Sequence, residues 1–501
     1  MRSRYQTRCL INFLVKKRPT DNRSSDTLIH DLDDDSLLII FSLCRPIILD
    51  EIEVTNVQFL EGQWNHERWW YRLVHVCRRW RHIVFESASH LRLSLVCARG
   101  TPVAKMLAHS PPLPITVDHF YEKDDDITLE DEEGIILALQ HRGRVRRIRL
   151  MNPIPILQKF IIALNGEFPN LQYLLIWHQR YHDPIIENTV NLNFPETFRA
   201  PNLRQLGIEN FATPIESPLL TTMADLTALY LGKIPSSAYF HPNALLQLLS
   251  LMPQLERLAI SFNCYNSSRD IERQLSRTPI VTRVTLPNLR YLTFGGTSTY
   301  LEVLLPWVTV PLLEKLHVYF FNRMIYFIPH LRQLISTARN IRHKIVTVTF
   351  ERESLRVLTY PHKEARLSTL CMQLGGRHLD WQVVSAAQVC QALKTVFSAV
   401  ENLTLKYSRH YISSEWNRQA DRTHWIEFLG SFGKVKTLRA DYGLVEQVSR
   451  ALQPGEGESP TELFPELQEL LYSSKGSSHD AFTLFIDARQ KAGHPVTVFR
   501  F

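Results

Sequence analysis

Few residues in this sequence have the type and spacing that catalysis or metal binding requires. His178 and His182 are four residues apart and precede Asp183, a spacing that could hold a metal ion on one face of a helix. They follow a predicted strand, and no third ligand stands at a suitable spacing, so surface positions are the better interpretation. Gly455 and Gly457 lack the third glycine and the preceding strand of a phosphate-binding loop. We therefore predict that the chain is not an enzyme and uses no metal or cofactor.

The composition also bounds the class of protein. The chain has 501 residues, of which 45% are hydrophobic and 21% are charged, as in soluble globular proteins. Its seven cysteines are too widely spaced for a Cys-x-x-Cys metal site or a disulfide framework. No uncharged apolar run approaches the roughly 18 residues of a membrane-spanning helix. These features predict a protein of the cytoplasm, the nucleus or both, with no membrane partner.

The positive charge is concentrated at the beginning of the chain. The net charge is +7, and residues 1–23 account for +6 of it, with seven basic side chains against Asp21, which leaves +1 for the remainder. A basic surface for a specific nucleic acid is therefore not predicted. Residues 1–27 read as a disordered basic tail. A nuclear signal near residues 16–18, a mitochondrial presequence and a wrongly assigned start stay open as alternatives.

Two apolar helical segments follow the tail. Residues 37–41 are consecutively apolar after an acidic stretch at residues 33–35, which favours a helix start. Residues 69–85 have apolar positions at the spacing of one helical face, and the opposite face is basic. So small a module hides only about 60% of its unfolded surface. Its apolar side chains must therefore be covered by a second protein or by the rest of the same chain.

This segment resembles an F-box. Residues 32–35 (Leu-Asp-Asp-Asp) correspond to the opening of the motif, residues 37–41 to its apolar stretch, and residues 76–81 (Val-Cys-Arg-Arg-Trp-Arg) to its close. Asp33 replaces the usual proline, and residues 45–66 form an insertion. The resemblance implies that residues 28–89 bind a Skp-type adaptor and, through it, a cullin. The implied adaptor contacts are Leu32, Leu37, Leu38, Ile40, Phe41, Val76, Cys77 and Trp80.

The remainder of the chain is dominated by an internal repeat. The template Leu-x-x-Leu-x-apolar starts at residues 171, 203, 226, 255, 289 and 313. It returns at residue 435, where valine replaces the first leucine, and at residue 467. The interval of 122 residues between the two groups should hold about three degenerate units. Its candidate strands are 345–350, 355–360, 367–374 and 403–405.

Helix-like stretches, such as residues 154–164 and 244–252, lie between the predicted strands. A strand–helix unit of this size cannot bury its apolar side alone, so neighbouring units must stack into a solenoid. The pattern resembles leucine-rich repeats, with residues 90–165 as a linker region and first irregular repeat and residues 166–501 as the repeat domain. The predicted fold class is α/β: a small helical F-box module followed by an irregular leucine-rich-repeat solenoid, with a curved parallel sheet and outer helices.

The order of F-box and irregular repeats is similar to that of fungal F-box proteins, and it implies a function. The chain would be the substrate-recognition subunit of a Skp–cullin–F-box ubiquitin ligase, binding an unidentified protein substrate. A leucine-rich-repeat scaffold outside any ligase is the alternative. Alternate strand residues should form the concave, substrate-binding face because they point away from the core. They are Tyr173, Leu175, Trp177, Gln205, Glu209, Tyr230, Arg257, Tyr291, Thr293, Lys315, His317 and Tyr319.

Overall fold

The structure is a computed structural model. It describes residues 32–46, 68–120, 128–178, 194–263, 275, 279–321, 327–341, 343–365, 367–408, 421–455, 459, 461–473 and 481–501. The predicted basic tail and the metal-spaced His182 lie outside these residues. The chain divides into two compact units, the first Met1–Leu175 with Pro195–Asn202 and the second Ile176–Phe194 with Leu203–Phe501.

The first unit contains short helices followed by alternating strands and helices. Its helices are α1 (Asp34–Leu43), α2 (Tyr71–Val74), α3 (Arg78–Glu86), α4 (Val103–His109), α5 (Leu129–Gln140) and α6 (Ile154–Ala163). Its strands are β1 (Leu95–Ala98), β2 (Ile115–Phe120), β3 (Val145–Asn152) and β4 (Tyr173–His178), which contains the boundary between the units. β1, β2 and β3 pair in parallel in that order.

Local capping explains where the first helices begin. Asp33 is the N-cap of α1, and its Oδ1 accepts a hydrogen bond of 2.6 Å from the backbone N–H of Ser36. The helical pattern over residues 69–85 forms two helices, α2 and α3, rather than one. The chain is extended at Cys77, whose Sγ accepts a hydrogen bond from the Trp80 N–H and caps α3. The break could not be read from the apolar spacing, which continues through it.

The second unit alternates strands and helices along most of its length. Its helices are α7 (Pro218–Thr221), α8 (Pro242–Ser250), α9 (Ser298–Leu304), α10 (Pro329–Thr337), α11 (Leu379–Ala392), α12 (Lys394–Phe397), α13 (Arg422–Leu429), α14 (Val445–Leu452) and α15 (Thr483–Lys491). Its strands are β5 (Gln205–Glu209), β6 (Ala228–Ile234), β7 (Arg257–Phe262), β8 (Val284–Thr285), β9 (Tyr291–Gly296), β10 (Val308–Thr309), β11 (Lys315–Phe320), β12 (Ile345–Phe350), β13 (Ser354–Tyr360), β14 (Leu370–Gly375), β15 (Asn402–Tyr407), β16 (Thr437–Ala440), β17 (Glu469–Tyr472) and β18 (Thr497–Arg500).

The repeated leucines of the template form continuous rows in the sheet of the second unit. The strands β5, β6, β7, β9 and β11 pair in parallel, and the fourth position of each template is in register with the next. The row consists of Leu206, Leu229, Leu258, Leu292 and Leu316, and all of its side chains are buried. Burying each leucine contributes about 1.5–3 kcal/mol, so these rows stabilise the stacking of neighbouring repeats. The predicted α/β class, with a mostly parallel sheet and intervening helices, is confirmed.

The interval between the two groups of templates differs from the prediction. Its strands do not add in sequence order, because the sheet runs β11-β14-β13-β12-β15. β13 is antiparallel to both of its neighbours, whereas β14 and β12 are parallel to β11 and β15, respectively. The three degenerate units expected in sequence order are therefore replaced by a block with inverted strand order. We refer to residues 345–375 as the inverted block.

Asparagine side chains that precede the first leucine of the template also connect neighbouring repeats, and we call this series of contacts the asparagine ladder. The Nδ2 group of Asn170 donates to the Gly143 carbonyl at 2.6 Å, and that of Asn202 donates to the Pro169 carbonyl at 2.7 Å. In the second unit, Asn288 Nδ2 lies 3.5 Å from the Pro253 carbonyl oxygen. These bonds satisfy carbonyl groups at the turns that lead into the strands. Their sequence signal is the tripeptide Pro-Asn-Leu, which starts at residues 169, 201 and 287.

Candidate protein-interaction surfaces

The helices α1 and α3 of the first unit are held together by contacts among residues 32–41 and 79–80. Leu37 and Phe41 are fully buried, and the rings of Phe41 and Trp80 pack edge to face with centroids 4.7 Å apart. The Arg79 guanidinium donates to the Leu32 carbonyl at 2.6 Å and to the Asp34 carboxylate at 2.8 Å. α1 and α3 are therefore fixed to one another at both an apolar and a polar contact.

The same segment leaves large aliphatic side chains in water. Ile39, Leu43 and Val76 are 60%, 78% and 58% exposed, respectively. Ile39 and Leu43 are four residues apart on α1 and thus lie on one side of the helix. We call Ile39, Leu43 and Val76 the exposed aliphatic set. The sequence did not single out Ile39 and Leu43, because an unbroken apolar run does not indicate which side of the helix faces solvent.

The predicted adaptor contacts therefore divide into two groups. Leu37 and Phe41 were expected to contact a partner, but they lie in the interior of the first unit because Phe41 packs against Trp80. Val76 is exposed, and the remaining predicted contacts, Leu32, Leu38, Ile40, Cys77 and Trp80, are half-buried. The second group is partly or largely accessible to solvent in this structure. The role of the predicted residues as adaptor contacts stays a prediction.

On the second unit, three predicted residues form a row of cations and an aromatic ring. Arg257, Tyr291 and Lys315 are in register on β7, β9 and β11. The Arg257 Cζ lies 5.4 Å, and the Lys315 Nζ 4.9 Å, from the centroid of the Tyr291 ring. All three residues are half-buried, as is Gln205, which lies in the same row on β5. We call Arg257, Tyr291 and Lys315 the basic row.

The next row of this face contains His317, which is in register with Thr293 and Cys371. Burial and the neighbouring Lys315 lower the pKa of His317 to about 4. Burial raises the pKa of the Cys371 thiol to about 12. A nucleophilic cysteine needs the opposite shifts, namely an acidified thiol beside a basic imidazole. His317 is half-buried and Cys371 is buried, and the shifts in their pKa values are opposite to those of an activated thiol–imidazole pair.

Glu209 was predicted as part of the accessible face, but it is buried. Its Oε2 accepts a hydrogen bond of 2.6 Å from the Tyr230 hydroxyl, and its Oε1 lies 2.7 Å from the Lys233 ammonium. The Lys233 Nζ also lies 5.3 Å from the centroid of the Trp177 ring. Burial, followed by the charge of Glu209, raises the pKa of Tyr230 well above its usual value. Glu209 is therefore engaged by its own chain, and Lys233 is a participant that the sequence pattern did not indicate.

Tyr173 belongs to the first unit and is likewise buried rather than open. The Arg147 guanidinium carbon lies 5.0 Å from the centroid of its ring, which accounts for the loss of accessible area. Trp177, Tyr230, His317 and Tyr319 are half-buried. The structure thus brings Arg257, Tyr291, Lys315, His317 and Tyr319 onto adjacent positions of neighbouring strands, whereas Tyr173 and Glu209 are buried.

The described residues lack two other types of site. Nowhere among these residues do three His, Cys, Asp or Glu side chains group closely enough to hold a metal ion. None of the helices in the described ranges is long and apolar enough to cross a membrane.

Comparisons with known proteins give structural neighbours only. Neither a family model nor a curated protein sequence matches the chain. The fold is similar to that in the crystal structure of the TLR13–ssRNA13 complex, with 12% identity, a TM-score of 0.31, and coverage of 81% of this chain and 49% of that chain. It is also similar to the leucine-rich repeat-containing protein LegL7 from Legionella pneumophila, with 14% identity, a TM-score of 0.22, and coverage of 58% and 91%. The chain spans about half the length of the first of these neighbours.

Proposed function

We propose that this protein is a substrate receptor of a Skp–cullin–F-box ubiquitin ligase. The F-box-like helices would bind a Skp-type adaptor, and the sheet face of the second unit would bind a target protein. The observation that carries the proposal is the exposed aliphatic set, Ile39, Leu43 and Val76, on a segment that resembles an F-box. Each of these side chains gains about 1.5–3 kcal/mol when a partner covers it.

The internal contacts of the segment support this role. The Phe41–Trp80 packing and the Arg79 hydrogen bonds hold α1 against α3 without using the exposed aliphatic set. The position of α1, which carries Ile39 and Leu43, is therefore already fixed before a partner binds, and less conformational entropy is lost on binding. No residue of the chain needs to act on the target. Holding a target lysine near a ubiquitin-loaded enzyme raises its effective concentration, which is sufficient for catalysis by proximity.

The test is recovery of a recombinant Skp-type adaptor by the immobilised full-length protein. Leu43→Glu and Val76→Glu place a charge in the proposed contact, and each should reduce recovery by about ten-fold or more. Ile162→Glu is the matched control, because Ile162 is 72% exposed on α6 of the same unit. This variant should recover as much adaptor as the wild type. Equal recovery by all four proteins would contradict the adaptor role.

A leucine-rich-repeat scaffold outside any ligase is the second candidate, and Asp33 is the feature that favours it. Asp33 caps α1 through the Ser36 N–H, and it takes the place of the apolar proline that F-box proteins usually present there. If neither wild type nor Ile162→Glu recovers adaptor, while the second unit still binds a protein partner, the scaffold function is the correct one.

A further inference from the structure

The strand β18 lies at the edge of the sheet in the second unit. Within the described residues the strand order ends at β18, which pairs with β17 alone. The backbone N–H groups of Thr497 and Phe501 donate to carbonyl groups on the β17 side, at 2.8 Å and 3.2 Å. In a parallel pair, alternate residues of a strand bond to the same neighbour, so the backbone groups of Val498 and Arg500 point away from β17. The outer edge of β18 is therefore a template to which a further strand can be added.

The side chains of β18 present apolar and basic groups at this edge. Phe499 and Phe501 are two residues apart and share one face of the sheet, where they are 47% and 45% exposed. Arg500 is exposed on the opposite face, where its Nε donates to the Tyr472 hydroxyl at 2.9 Å. Among the described residues, no carboxylate pairs with the Arg500 guanidinium. The edge thus presents a phenyl ring, a guanidinium group and a second phenyl ring in succession.

We propose that the outer edge of β18 binds an extended segment of the target protein as an added strand, in which an acidic residue lies between two apolar residues. This inference rests on the proposed role of the second unit in binding a target protein. The added strand would exchange main-chain hydrogen bonds with Val498 and Arg500, as other sheet edges do with extended peptides.

The side chains of β18 determine the pattern of the bound segment. Residues directly opposite each other on neighbouring strands lie on the same face of a sheet and interact there. The acidic residue would therefore lie opposite Arg500, and the two apolar residues would lie opposite Phe499 and Phe501. This pattern is the same when it is read in either direction, so it applies to a parallel and to an antiparallel added strand.

The charge near β18 favours an acidic segment of another protein over a second copy of this chain. Residues 481–501 contain three basic residues and one acidic residue, a net charge of +2. Arg439 on β16 is a further exposed cation, and its guanidinium carbon lies 4.1 Å from the centroid of the Phe501 ring. A second copy would bring the same cations to both sides of the edge, where like charges oppose pairing. A carboxylate, in contrast, can form a charge-assisted hydrogen bond with Arg500.

The inference can be tested by fluorescence anisotropy with the full-length protein and the labelled peptide Gly-Ser-Thr-Val-Glu-Val-Thr-Ser-Gly. Arg500→Glu should weaken binding by about ten-fold or more, because it reverses the charge opposite the peptide carboxylate. A peptide with lysine in place of glutamate should bind Arg500→Glu more tightly than the wild type, a reversal that a merely structural role of Arg500 would not produce. Arg377→Glu is the matched control, since Arg377 is exposed beside β14 and the change in net charge is the same. This variant should bind the original peptide as the wild type does.

A second pair of variants tests the main-chain hydrogen bonds of the edge. Val498→Pro removes an N–H that points away from β17, a position at which an edge strand tolerates proline, and it should weaken peptide binding by about ten-fold. Val498→Ala keeps the N–H and should bind close to the wild type. Methylation of the backbone nitrogens of the peptide removes its donors without changing its side chains, and it should also weaken binding by about ten-fold. Thermal unfolding identifies any variant that does not fold, and the methylated peptide tests the same hydrogen bonds on the wild type.

Equal binding of the original peptide by wild type, Arg500→Glu and Val498→Pro would overturn the inference. Dimerisation of the wild type in sedimentation velocity that Val498→Pro abolishes would also overturn it, because the edge would then bind a second copy of the chain. Failure of this inference differs from failure of the proposed function. Absent peptide binding with intact adaptor recovery rejects the added strand alone, and intact peptide binding without adaptor recovery rejects the ligase role alone.

Discussion

The two units use charge on their strands in opposite ways. In the first unit, Asp118 on β2 and Arg149 on β3 are in register, and their side chains are only 8% and 4% exposed. The Arg149 Nε and Nη2 donate to the two carboxylate oxygens at 2.6 Å and 2.9 Å. In the second unit, Lys315 and Arg257 are half-buried and lie over a tyrosine ring.

The difference shows that the role of a charged side chain on a sheet depends on whether a carboxylate or an aromatic ring contacts it. Burial raises the pKa of Asp118, and the adjacent Arg149 opposes that shift. The pair is bidentate and buried, so its role is structural. An aromatic ring, in contrast, holds a cation without neutralising it. The Lys315 ammonium therefore contacts the π face of Tyr291 rather than a carboxylate there.

The largest expected effect comes from breaking the buried pair of Asp118 and Arg149. Arg149→Met leaves the buried Asp118 carboxylate without its guanidinium, which should lower the free energy of unfolding by about 3–5 kcal/mol. Urea denaturation followed by circular dichroism measures the loss. Arg146→Met on the same strand, where the side chain is exposed, should cost less than about 1 kcal/mol. The double variant Asp118→Leu, Arg149→Met should regain most of the stability, and failure to do so would show that the pair is not the cause.

The second effect is a pH dependence of the second unit. Burial lowers the pKa values of His317 and His343 from 6.5 to about 4. Between about pH 6.5 and 4 the unfolded chain binds more protons at these positions than the folded chain, so stability falls as the pH falls through this window. Urea midpoints measured from pH 7.5 to 4 should show this loss. The double variant His317→Gln, His343→Gln should lose less between pH 6.5 and 5, and an unchanged slope would contradict the assignment.

A smaller effect tests whether Glu209 has a structural role, like the Asp118–Arg149 pair, through its hydrogen bond with Tyr230. Tyr230→Phe removes the hydroxyl that donates to the Glu209 Oε2, and it should cost about 1–2 kcal/mol of unfolding free energy. A double-mutant cycle with Glu209→Gln should give a coupling energy of about 1 kcal/mol. Additive effects of the two substitutions would place Glu209 outside the hydrogen-bonded cluster.

The smallest effect concerns the asparagine ladder, which is present in both units. Asn202→Ala removes a hydrogen bond of 2.7 Å in the first unit and should cost about 0.5–1 kcal/mol. Asn288→Ala in the second unit should cost less, because its contact is longer, at 3.5 Å. Asn402→Ala is the control, since the Asn402 side chain makes no hydrogen bond within the described ranges. Equal losses of unfolding free energy in all three variants would show that the asparagine hydrogen bonds are not the cause of the lost stability.

The repeat was predictable to the register of individual residues. The Leu-x-x-Leu-x-apolar template places Leu206, Leu229 and Leu258 in one buried row, because alternate residues of a strand share a face. The inverted block was not predictable in this way. Parallel and antiparallel strands have the same period of two, so the apolar pattern of β12, β13 and β14 contains no information on their direction.

The surfaces were predictable in position but not in accessibility. Arg257, Tyr291 and Lys315 were identified from their alternation with leucines, and the structure brings their side chains together. The burial of Glu209 depends on Lys233 and Tyr230, whose approach is set by three-dimensional packing. The choice between Phe41 and Leu43 as the accessible residue of α1 likewise depends on Trp80, which is distant in the sequence.

The inverted block also governs how the second unit can assemble. A repeat array whose strands are added in sequence order can grow from any nucleus, one neighbour at a time. Here β11 pairs with β14, and β15 pairs with β12, so β11 and the next strand in the sequence, β12, are not neighbours in the sheet. The strands before and after the inverted block are joined in one sheet only when β12, β13 and β14 have paired in this inverted order. The pairing of β11 with β14 joins residues that are distant in the sequence, and such contacts form more slowly than local ones. The inverted block, residues 345–375, therefore connects the repeats that precede it to those that follow it, and the second unit has one continuous sheet only when this block has formed.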